Sequence, residues 1–311
     1  MGVRCFFDLS KARCAEACTA PTFWAMCRFL FYAGTPVLLD DLLFRPEYSL
    51  VQQSVHSRER EEPLNGDGFG VAWWAPQSHE PGLFRSISPA WSNHNLQSVS
   101  RITQTARVMA HVRAASEGLA VHEGNCHPFV SGKLALMHNG DVGNFQRHRR
   151  QLLGGLSDMA FDSIRGNTDS EHLFALFLDA LGRQSASLTR LAAMAAALRE
   201  AVQTAVALTD TPDGPRSYFN IVVSDERHAV GCRATTDLPE RAESLHIHTG
   251  AVYKVIAGVC RMVAPTDGRG AVILSSEELS DDPGWKKVPP NHLVAIAPDG
   301  AVDISPMALR A

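Results

Sequence analysis

The stretch Met26-Cys27-Arg28-Phe29-Leu30-Phe31-Tyr32-Ala33 places a cysteine directly after a methionine, at the start of an apolar, strand-like run. If Met26 were removed, Cys27 would become the first residue and would carry a free α-amine. An α-amine has a pKa of about 7.7–8.0 and accepts a proton at neutral pH, whereas an amide nitrogen does not. Cys27 would then hold both a nucleophile and its base. The plainer interpretation is a small buried side chain at the head of a strand.

The residues ahead of Cys27 are interpreted separately, as an N-terminal extension covering 1–26, with one domain over 27–311. Charged residues interrupt any apolar core there, so the segment is a poor signal peptide. The pair Cys14 and Cys18 offers two metal ligands, but the sequence has no second pair nearby. We interpret 1–26 as a mis-assigned start, an unusual extension or a removable segment.

Composition and charge exclude several classes of function. The chain has 311 residues, of which 45% are hydrophobic and 20% charged, as in an ordinary globular protein. The net charge of −4 does not favour a nucleic-acid partner. No apolar run approaches the roughly 18 residues of a membrane span. Seven unevenly spaced cysteines do not suggest a disulfide framework, so we expect a reducing, cytoplasmic location.

In broad order, the predicted elements are strands with shorter helices between them, then the two helices over 168–178 and 188–205, then strands. Helical spacing is predicted over 37–43, 93–102, 144–153, 168–178 and 188–205. Strands are predicted over 27–33, 71–75, 83–88, 107–113, 134–140, 218–224, 229–233, 245–249, 271–275, 293–297 and 301–304. No linker or repeat divides the chain. This pattern predicts an α+β fold in which helices lie outside two packed sheets.

A glycine-rich stretch, Asn65-Gly-Asp-Gly-Phe-Gly70, permits two interpretations. A dinucleotide-binding loop needs a strand before it and a helix after it. Here a β-rich run follows, which disfavours that reading. The glycines are more consistent with a backbone that enters a strand very close to a neighbouring segment.

Polar residues occur at predicted strand ends, where a buried strand has no need of them. They are Arg113, Asn125, His127, His138, Asn139 and Asp169. A fixed arginine suits a carboxylate and a fixed aspartate suits an ammonium, so Arg113 and Asp169 together would bind an α-amino acid. Asn139 and Gly140 offer the N–H donors of an oxyanion hole. Alternatively, Arg113 and Asp169 form a structural pair and Asn139-Gly140 is only a turn.

Six unlinked motifs, in order, resemble those of the class II glutamine amidotransferases. They are Met26-Cys-Arg-Phe-Leu30, Asn65-Gly-Asp-Gly-Phe-Gly-Val71, Ala110-His-Val-Arg-Ala114, Asn125-Cys-His-Pro-Phe129, Met137-His-Asn-Gly140 and Thr168-Asp-Ser-Glu171. The resemblance implies a four-layer αββα sandwich of the N-terminal-nucleophile hydrolase type. Within the family, the sequence is most similar to the amidotransferase subunit of the fungal glutathione-degrading complex and its bacterial relatives. The γ-glutamyl hydrolase of ergothioneine synthesis is a weaker match.

The resemblance also implies a role for individual residues. Cys27 matches the nucleophile, and Asn139 and Gly140 match the oxyanion donors. Arg113 matches the residue that binds the substrate's α-carboxylate, and Asp169 the one that binds its α-amine. Two further residues match less closely: Ser116 stands where relatives have a threonine near the substrate, and His127 lies in a segment that lines the pocket.

The implied reaction is hydrolysis of a γ-glutamyl amide, in glutamine or in a glutathione-like peptide, through a thioester on Cys27. No metal or organic cofactor is implied. The sequence after Ile304 leaves no room for a synthase domain. The protein is therefore expected to act alone or with another chain, either a metallopeptidase-like partner or a synthase that receives ammonia. A catalytically silent, amino-acid-binding or regulatory subunit is the alternative from another class.

Overall fold

The computed structural model describes residues 27–59, 64–114, 121–264 and 270–310. Its strands form a seven-stranded sheet, a six-stranded sheet and a two-stranded hairpin, and the pairings within them are antiparallel. In spatial order, the seven-stranded sheet contains β13 (Lys286–Lys287), β9 (His246–Gly250), β12 (Ala271–Ser275), β1 (Arg28–Leu38), β4 (Gln104–Val112), β2 (Phe69–Trp73) and β3 (Gly82–Ser86). The six-stranded sheet contains β15 (Val302–Pro306), β14 (His292–Ile296), β8 (Ala229–Thr235), β7 (Tyr218–Ser224), β6 (Leu134–Asp141) and β5 (Phe129–Ser131). The hairpin joins β10 (Val252–Ile256) and β11 (Val259–Val263).

Seven α-helices occur in the described ranges. They are α1 (Asp40–Leu43), α2 (Leu50–Gln53), α3 (His94–Ser100), α4 (Phe145–Gly154), α5 (Asp158–Asp162), α6 (Asp169–Arg183) and α7 (Arg190–Thr209). Short 3-10 turns cover Ala90–Ser92, Glu123–Asn125 and Pro239–Arg241. The mixed α/β composition with antiparallel sheets agrees with the predicted α+β class.

Strand β1 contributes to two hydrophobic cores because its side chains alternate between the faces of the sheet. Phe29 and Phe31 lie in the cluster between the two large sheets, together with Met137 of β6. Leu30 and Tyr32 point the other way, into a cluster with α1, α2, α3 and the hairpin. Because neither face of β1 is exposed to solvent, side chains on both faces are apolar, which explains the nearly continuous apolar run after Cys27.

A third core lies between the six-stranded sheet and helices α4, α6 and α7. Met194, Leu198 and Val202 of α7 pack there with Leu136 of β6 and Val223 of β7. By length and composition alone, α7 is the one helix of the described ranges that could cross a membrane. Its side chains in this cluster are buried against the sheet.

Two sequence predictions need correction. Helical spacing was expected over 37–43, but Val37 and Leu38 continue β1 and pair with Thr105 and Gln104 of β4. The pairing of β1 with β4 is interrupted between Ala33 and Val37 and then resumes at Val37 and Leu38. Only the residues after Leu38 can therefore be helical, and α1 is a single turn.

The hairpin β10–β11 was not predicted at all. Its two-residue turn places Ala257 at φ 50° and Gly258 at φ 84°. Two left-handed residues are what a tight type I′ hairpin turn requires. The sequence does contain two β-rich segments on either side of Ala257-Gly258, which would indicate a hairpin. Ala-Gly is, however, a weaker turn sequence than Asn-Gly or Asp-Gly.

The helical core yields a stability prediction. Leu198 on α7 is 1% exposed, whereas Leu188, just before the same helix, is 42% exposed. Leu198→Ala should lower the free energy of unfolding by about 2–5 kcal/mol, because it leaves a cavity against the sheet. Leu188→Ala is the matched control and should change it by less than about 0.5 kcal/mol. Urea denaturation of both variants measures the difference, and equal losses would contradict the packing described here.

Candidate active site

Cys27 immediately precedes β1, near the middle of the seven-stranded sheet. The residue is half-buried, and its thiol lies 3.5 Å from the carbonyl oxygen of Ala114. Burial raises the pKa of the thiol to about 11, while the guanidinium groups of Arg113 and Arg28 act in the opposite direction. At neutral pH such a thiol is almost entirely protonated, with about one molecule in ten thousand ionised. A nucleophile in this environment needs a base.

Arg113 follows β4, the strand that pairs with β1 so that Arg28 lies opposite Val112. The glycine-rich stretch Asn65–Gly70 bonds both backbone groups of Arg113. Arg113 N donates to Gly68 O at 2.8 Å, and Asp67 N donates to Arg113 O at 3.0 Å. The side chain is only 3% exposed, and its Nη1 has no hydrogen-bond partner among the described residues. A buried guanidinium nitrogen without a partner is costly unless an anion binds it.

The glycines of that loop are required by close approach. Gly68 has φ 117°, and a side chain there would collide with Ser86 O and the thiol of Cys126. A Cβ on Gly70 would overlap the carbonyl oxygen of His127. The loop leads into strand β2 and not into a helix. This agrees with the strand-entry interpretation of the glycine-rich stretch.

Asp169 is the first residue of α6, and the side chain of Thr168 caps that helix. Its Oδ2 accepts a hydrogen bond from Val142 N at 2.8 Å, and its Oδ1 accepts one from Ser170 N at 2.7 Å. A carboxylate is favoured at a helix N-terminus by the unsatisfied N–H groups and the helix dipole. These bonds fix a negative charge in one orientation.

The loop that leads into α6 is fixed by a second carboxylate. Glu171 accepts hydrogen bonds from Arg165 N at 2.8 Å and from Gly166 N at 2.6 Å. Asn125, one of the polar residues singled out from the sequence, accepts a long hydrogen bond from Asn167 N at 3.4 Å. Asn125 therefore helps to hold the segment that presents Asp169.

Asn139 and Gly140 lie near the end of β6, opposite Asn220 and Phe219 of β7. A Cβ on Gly140 would overlap the carbonyl oxygen of Tyr218, so only glycine fits this position. Asn139 is 2% exposed, and its Oδ1 has no hydrogen-bond partner within the described part of the chain. A donor pair on a strand paired with β7 suits the stabilisation of developing negative charge.

Three buried histidines lie behind these residues. His127 stacks on His111 with ring centroids 4.2 Å apart, and His111 Nε2 lies 3.2 Å from His138 O. His138 Nδ1 lies 2.9 Å from the hydroxyl of Ser170, next to Asp169. Burial lowers the pKa of His111 to about 3 and that of His127 well below its usual range. Both rings are therefore neutral at physiological pH.

Asp141, at the end of β6, is a second acid in this region that the sequence analysis did not single out. Burial, and then the charge of Asp169, raise its pKa to about 7. Two carboxylates that share a poorly hydrated region do not both ionise readily. A cation bound nearby would therefore favour the ionised form of Asp141.

The structure brings most of the predicted site residues into one region. The charges of Arg113 and Asp169 both act on the Cys27 thiol, and that of Arg113 also acts on His127. Ser116 and the segment 1–26 lie outside the described residues. Sequence reasoning missed Arg28 and its partner Glu277. The available signal was a charged side chain inside an apolar strand, since such residues are rarely buried without a partner.

Cys126, Cys232 and Cys260 are the other cysteines in the described part of the chain. The thiol of Cys126 is near Ser86 O and His122 O, both at 3.7 Å, while His127 stacks on His111. Cys232 and Cys260 are buried free thiols. The described residues contain no group of three or more histidine, cysteine or acidic side chains that could hold a metal ion.

Comparison with known proteins identifies the family. The family model described as "Glutamine amidotransferases class-II" matches residues 47–308. The yeast protein named "Probable glutamine amidotransferase DUG3" from Saccharomyces cerevisiae is 37% identical over 293 residues, covering 87% of this chain and 82% of its own. The γ-glutamyl-hercynylcysteine sulfoxide hydrolase of Mycolicibacterium smegmatis is 26% identical, covering 91% of this chain and 100% of its own.

Solved structures share the fold. A glutamine aminotransferase class-II domain protein from Silicibacter pomeroyi has a TM-score of 0.61 at 24% identity, over 91% of this chain and 100% of that one. The glutamine phosphoribosylpyrophosphate amidotransferase of Bacillus subtilis has a TM-score of 0.55 at 17% identity, over 91% of this chain and 49% of that one. The chain therefore belongs to the class II glutamine amidotransferases, a family of enzymes that includes γ-glutamyl hydrolases.

Proposed function

We propose that this protein hydrolyses the γ-glutamyl amide bond of a small molecule through a thioester on Cys27. The observation that carries the proposal is that the Cys27 thiol lies within electrostatic range of two opposite charges, those of Arg113 and Asp169. An α-amino acid carries the complementary pair of charges. Its side-chain amide would extend from that anchor towards the sulfur.

The two anchors have different supports. Arg113 has a buried Nη1 that no described residue satisfies, so a substrate α-carboxylate would remove an energetic penalty. Asp169 is held by backbone N–H groups at the start of α6, with Asp141 nearby. An α-ammonium would bind Asp169 and would also favour ionisation of Asp141. His127, whose ring nitrogens lack partners among the described residues, is proposed to line the same pocket.

The proton on Cys27 determines the mechanism. Because burial raises the thiol pKa to about 11, the sulfur attacks the γ-carbonyl carbon only as its proton leaves. We propose that the α-amine of Cys27 takes this proton, directly or through a water, and returns it to the leaving nitrogen. The γ-glutamyl group is then held as a thioester, which water hydrolyses to glutamate and the free thiol.

Asn139 and Gly140 are proposed to stabilise the tetrahedral intermediate. The side-chain amide of Asn139 and the backbone N–H of Gly140 would donate to the oxyanion. Loss of one such donor typically costs about 100–1,000-fold in rate. Pairing with Asn220 and Phe219 of β7 supports the backbone of Asn139 and Gly140.

The wider organisation follows from the same proposal. The active form is proposed to begin at Cys27, so that 1–26 is an extension to the domain over 27–311. The three hydrophobic clusters support a four-layer αββα sandwich, with helices outside each sheet. A cytoplasmic location is proposed from the scarcity and spacing of the cysteines.

A γ-glutamyl peptide such as glutathione is the proposed substrate. The relatives support this choice, since one is named as a γ-glutamyl-hercynylcysteine sulfoxide hydrolase and matches over its whole length. A metallopeptidase-like chain that consumes the released dipeptide is the proposed partner. Glutamine, with ammonia passed to a synthase chain, is the second enzymatic possibility.

The start of the chain provides the first test. A form that begins at Cys27 should hydrolyse γ-glutamyl substrate, whereas a form shown by intact mass to retain residues 1–26 should lose most activity, because its Cys27 nitrogen is an amide. Cys27→Ser in both forms controls for background hydrolysis. Full hydrolysis by the longer form would refute the proposed base. Binding of amino acid without hydrolysis by the shorter form would instead indicate a regulatory subunit.

Asp169 provides a test of substrate recognition. Asp169→Asn should raise KM for the γ-glutamyl substrate about 10–100-fold, as expected for loss of a charged hydrogen bond. The KM for a substrate analogue that lacks the α-amine should change less than about threefold. Asp179→Asn, on the same helix but paired with Arg183, is the matched control. An equal rise in KM for both substrates would show that Asp169 does not bind the α-amine.

The leaving group is tested by comparing two substrates. Glutamate release from glutathione should exceed that from L-glutamine by at least about tenfold in kcat/KM, if the site recognises the peptide beyond the γ-carbonyl. The assay measures glutamate enzymatically, with and without a candidate partner chain. A preference for glutamine that a synthase partner stimulates would favour ammonia transfer.

A further inference from the structure

Arg28, the residue after Cys27, lies in a buried ion pair that the proposed chemistry does not use. Its Nε lies 2.9 Å from Oε1 of Glu277, and the two side chains are 4% and 2% exposed. Its Nη1 donates to the carbonyl oxygen of Cys27 at 2.9 Å. The guanidinium therefore connects a buried carboxylate directly to the main chain of the proposed nucleophile.

Glu277 holds three separate segments together. Besides Arg28, it accepts hydrogen bonds from the hydroxyl of Ser57 at 2.5 Å and from Arg58 N at 2.9 Å. Arg28 Nη2 also donates to the Ser57 hydroxyl at 2.9 Å. The start of β1, the segment after α2 and the segment after β12 thus meet at one carboxylate.

The backbone next to the pair is fixed in the same way. Phe29 N donates to the hydroxyl of Ser276 at 3.0 Å, and Ser276 N donates to Phe29 O at 3.1 Å. These bonds continue the β1–β12 ladder beyond its last paired strand residues, Leu30 and Ser275. Cys27 precedes the paired residues of β1, and its carbonyl oxygen accepts the hydrogen bond from Arg28 Nη1.

A buried ion pair is a poor device for stability alone, because desolvation offsets much of the Coulomb attraction. Such a pair does select one geometry, since guanidinium and carboxylate bond in few orientations. Here the selected geometry includes the carbonyl of Cys27. Rotation about the Cys27 main chain would move both its sulfur and its nitrogen, the two atoms that the proposed reaction brings together.

We propose that Arg28 and Glu277 are positioning residues that orient the main chain of Cys27, so that its thiol faces the pocket containing Arg113 and Asp169. This inference rests on the proposed role of Cys27. Arg28 is proposed to act through its hydrogen bond to the Cys27 carbonyl, a role separate from the effect of its charge on the thiol. Misplacement of a reacting group by about 1 Å can cost about 100-fold in rate, even when binding is intact.

The test compares two buried arginines of the same sheet. Arg28→Lys keeps the charge but cannot bond Glu277, Ser57 and the Cys27 carbonyl together. Arg107→Lys is the matched control, because Arg107 is also buried and bonds Ser224 and Arg227 O away from Cys27. Arg28→Lys should lower kcat about tenfold or more with KM changed less than about twofold, whereas Arg107→Lys should leave both unchanged within about twofold. Glu277→Gln should resemble Arg28→Lys.

Two alkylating reagents separate orientation from exposure. The diazoketone analogue of glutamine, 6-diazo-5-oxo-L-norleucine, must bind in the pocket before it meets the sulfur, whereas iodoacetamide needs only an accessible thiol. In the purified protein, with its N-terminus determined by mass spectrometry, Arg28→Lys should slow labelling of Cys27 by the diazoketone about tenfold or more and by iodoacetamide less than about threefold. Thermal melting identifies variants that fail to fold.

Each outcome is decisive. Unchanged kcat and diazoketone labelling in Arg28→Lys and Glu277→Gln, or equal losses with both reagents, would overturn the positioning role. Wild-type protein that shows the expected labelling pattern but hydrolyses no γ-glutamyl substrate would overturn the proposed function and leave the positioning role supported. Wild-type protein that is neither active nor labelled at Cys27 would overturn both.

Discussion

The pairing of β1 with β4 is the constraint on which the rest of the structure depends. It places the start of one strand beside the end of the other, so Cys27 and Arg113 become neighbours although they lie far apart in sequence. Because side chains alternate, a slip of one residue would also move Phe29 and Phe31 out of the core between the sheets. The core and the site therefore require the same register, and hydrophobic burial fixes the geometry of a polar site.

The buried polar groups near Cys27 fall into two kinds. Glu277 and Glu171 have hydrogen bonds to several partners, as buried carboxylates require. By contrast, Arg113 Nη1, the ring nitrogens of His127 and Asn139 Oδ1 have no partners among the described residues. Such groups in a native protein require an explanation, which can be a bound ligand, ordered water or a catalytic role. The region thus combines carboxylates that have several hydrogen bonds with buried polar atoms that have none, which is consistent with a pocket for a polar ligand.

Much of this arrangement could be predicted because the relevant signals are local. Apolar alternation identified most strands, and the start of α6 was indicated by the possible N-cap residues Thr168 and Asp169, of which Thr168 is the cap. The pair Arg28–Glu277 could not be assigned, because it joins residues from distant parts of the chain. The same holds for Asp141, whose raised pKa depends on burial and on Asp169 across a loop. Sequence patterns indicate which residues are unusual, whereas only the packing indicates what they meet.

Burial has opposite consequences for the two parts of the proposed chemistry. The desolvation that would strengthen the proposed attraction of Arg113 and Asp169 for a zwitterion also keeps the Cys27 thiol protonated and His111 and His127 neutral. A dry pocket that binds charge well cannot also ionise a thiol spontaneously. In the proposed mechanism the proton would therefore move during the attack itself, to a base whose position does not depend on a flexible side chain. The main-chain nitrogen of the same residue meets that requirement, because its distance from the sulfur is set by covalent geometry and by the orientation of Cys27.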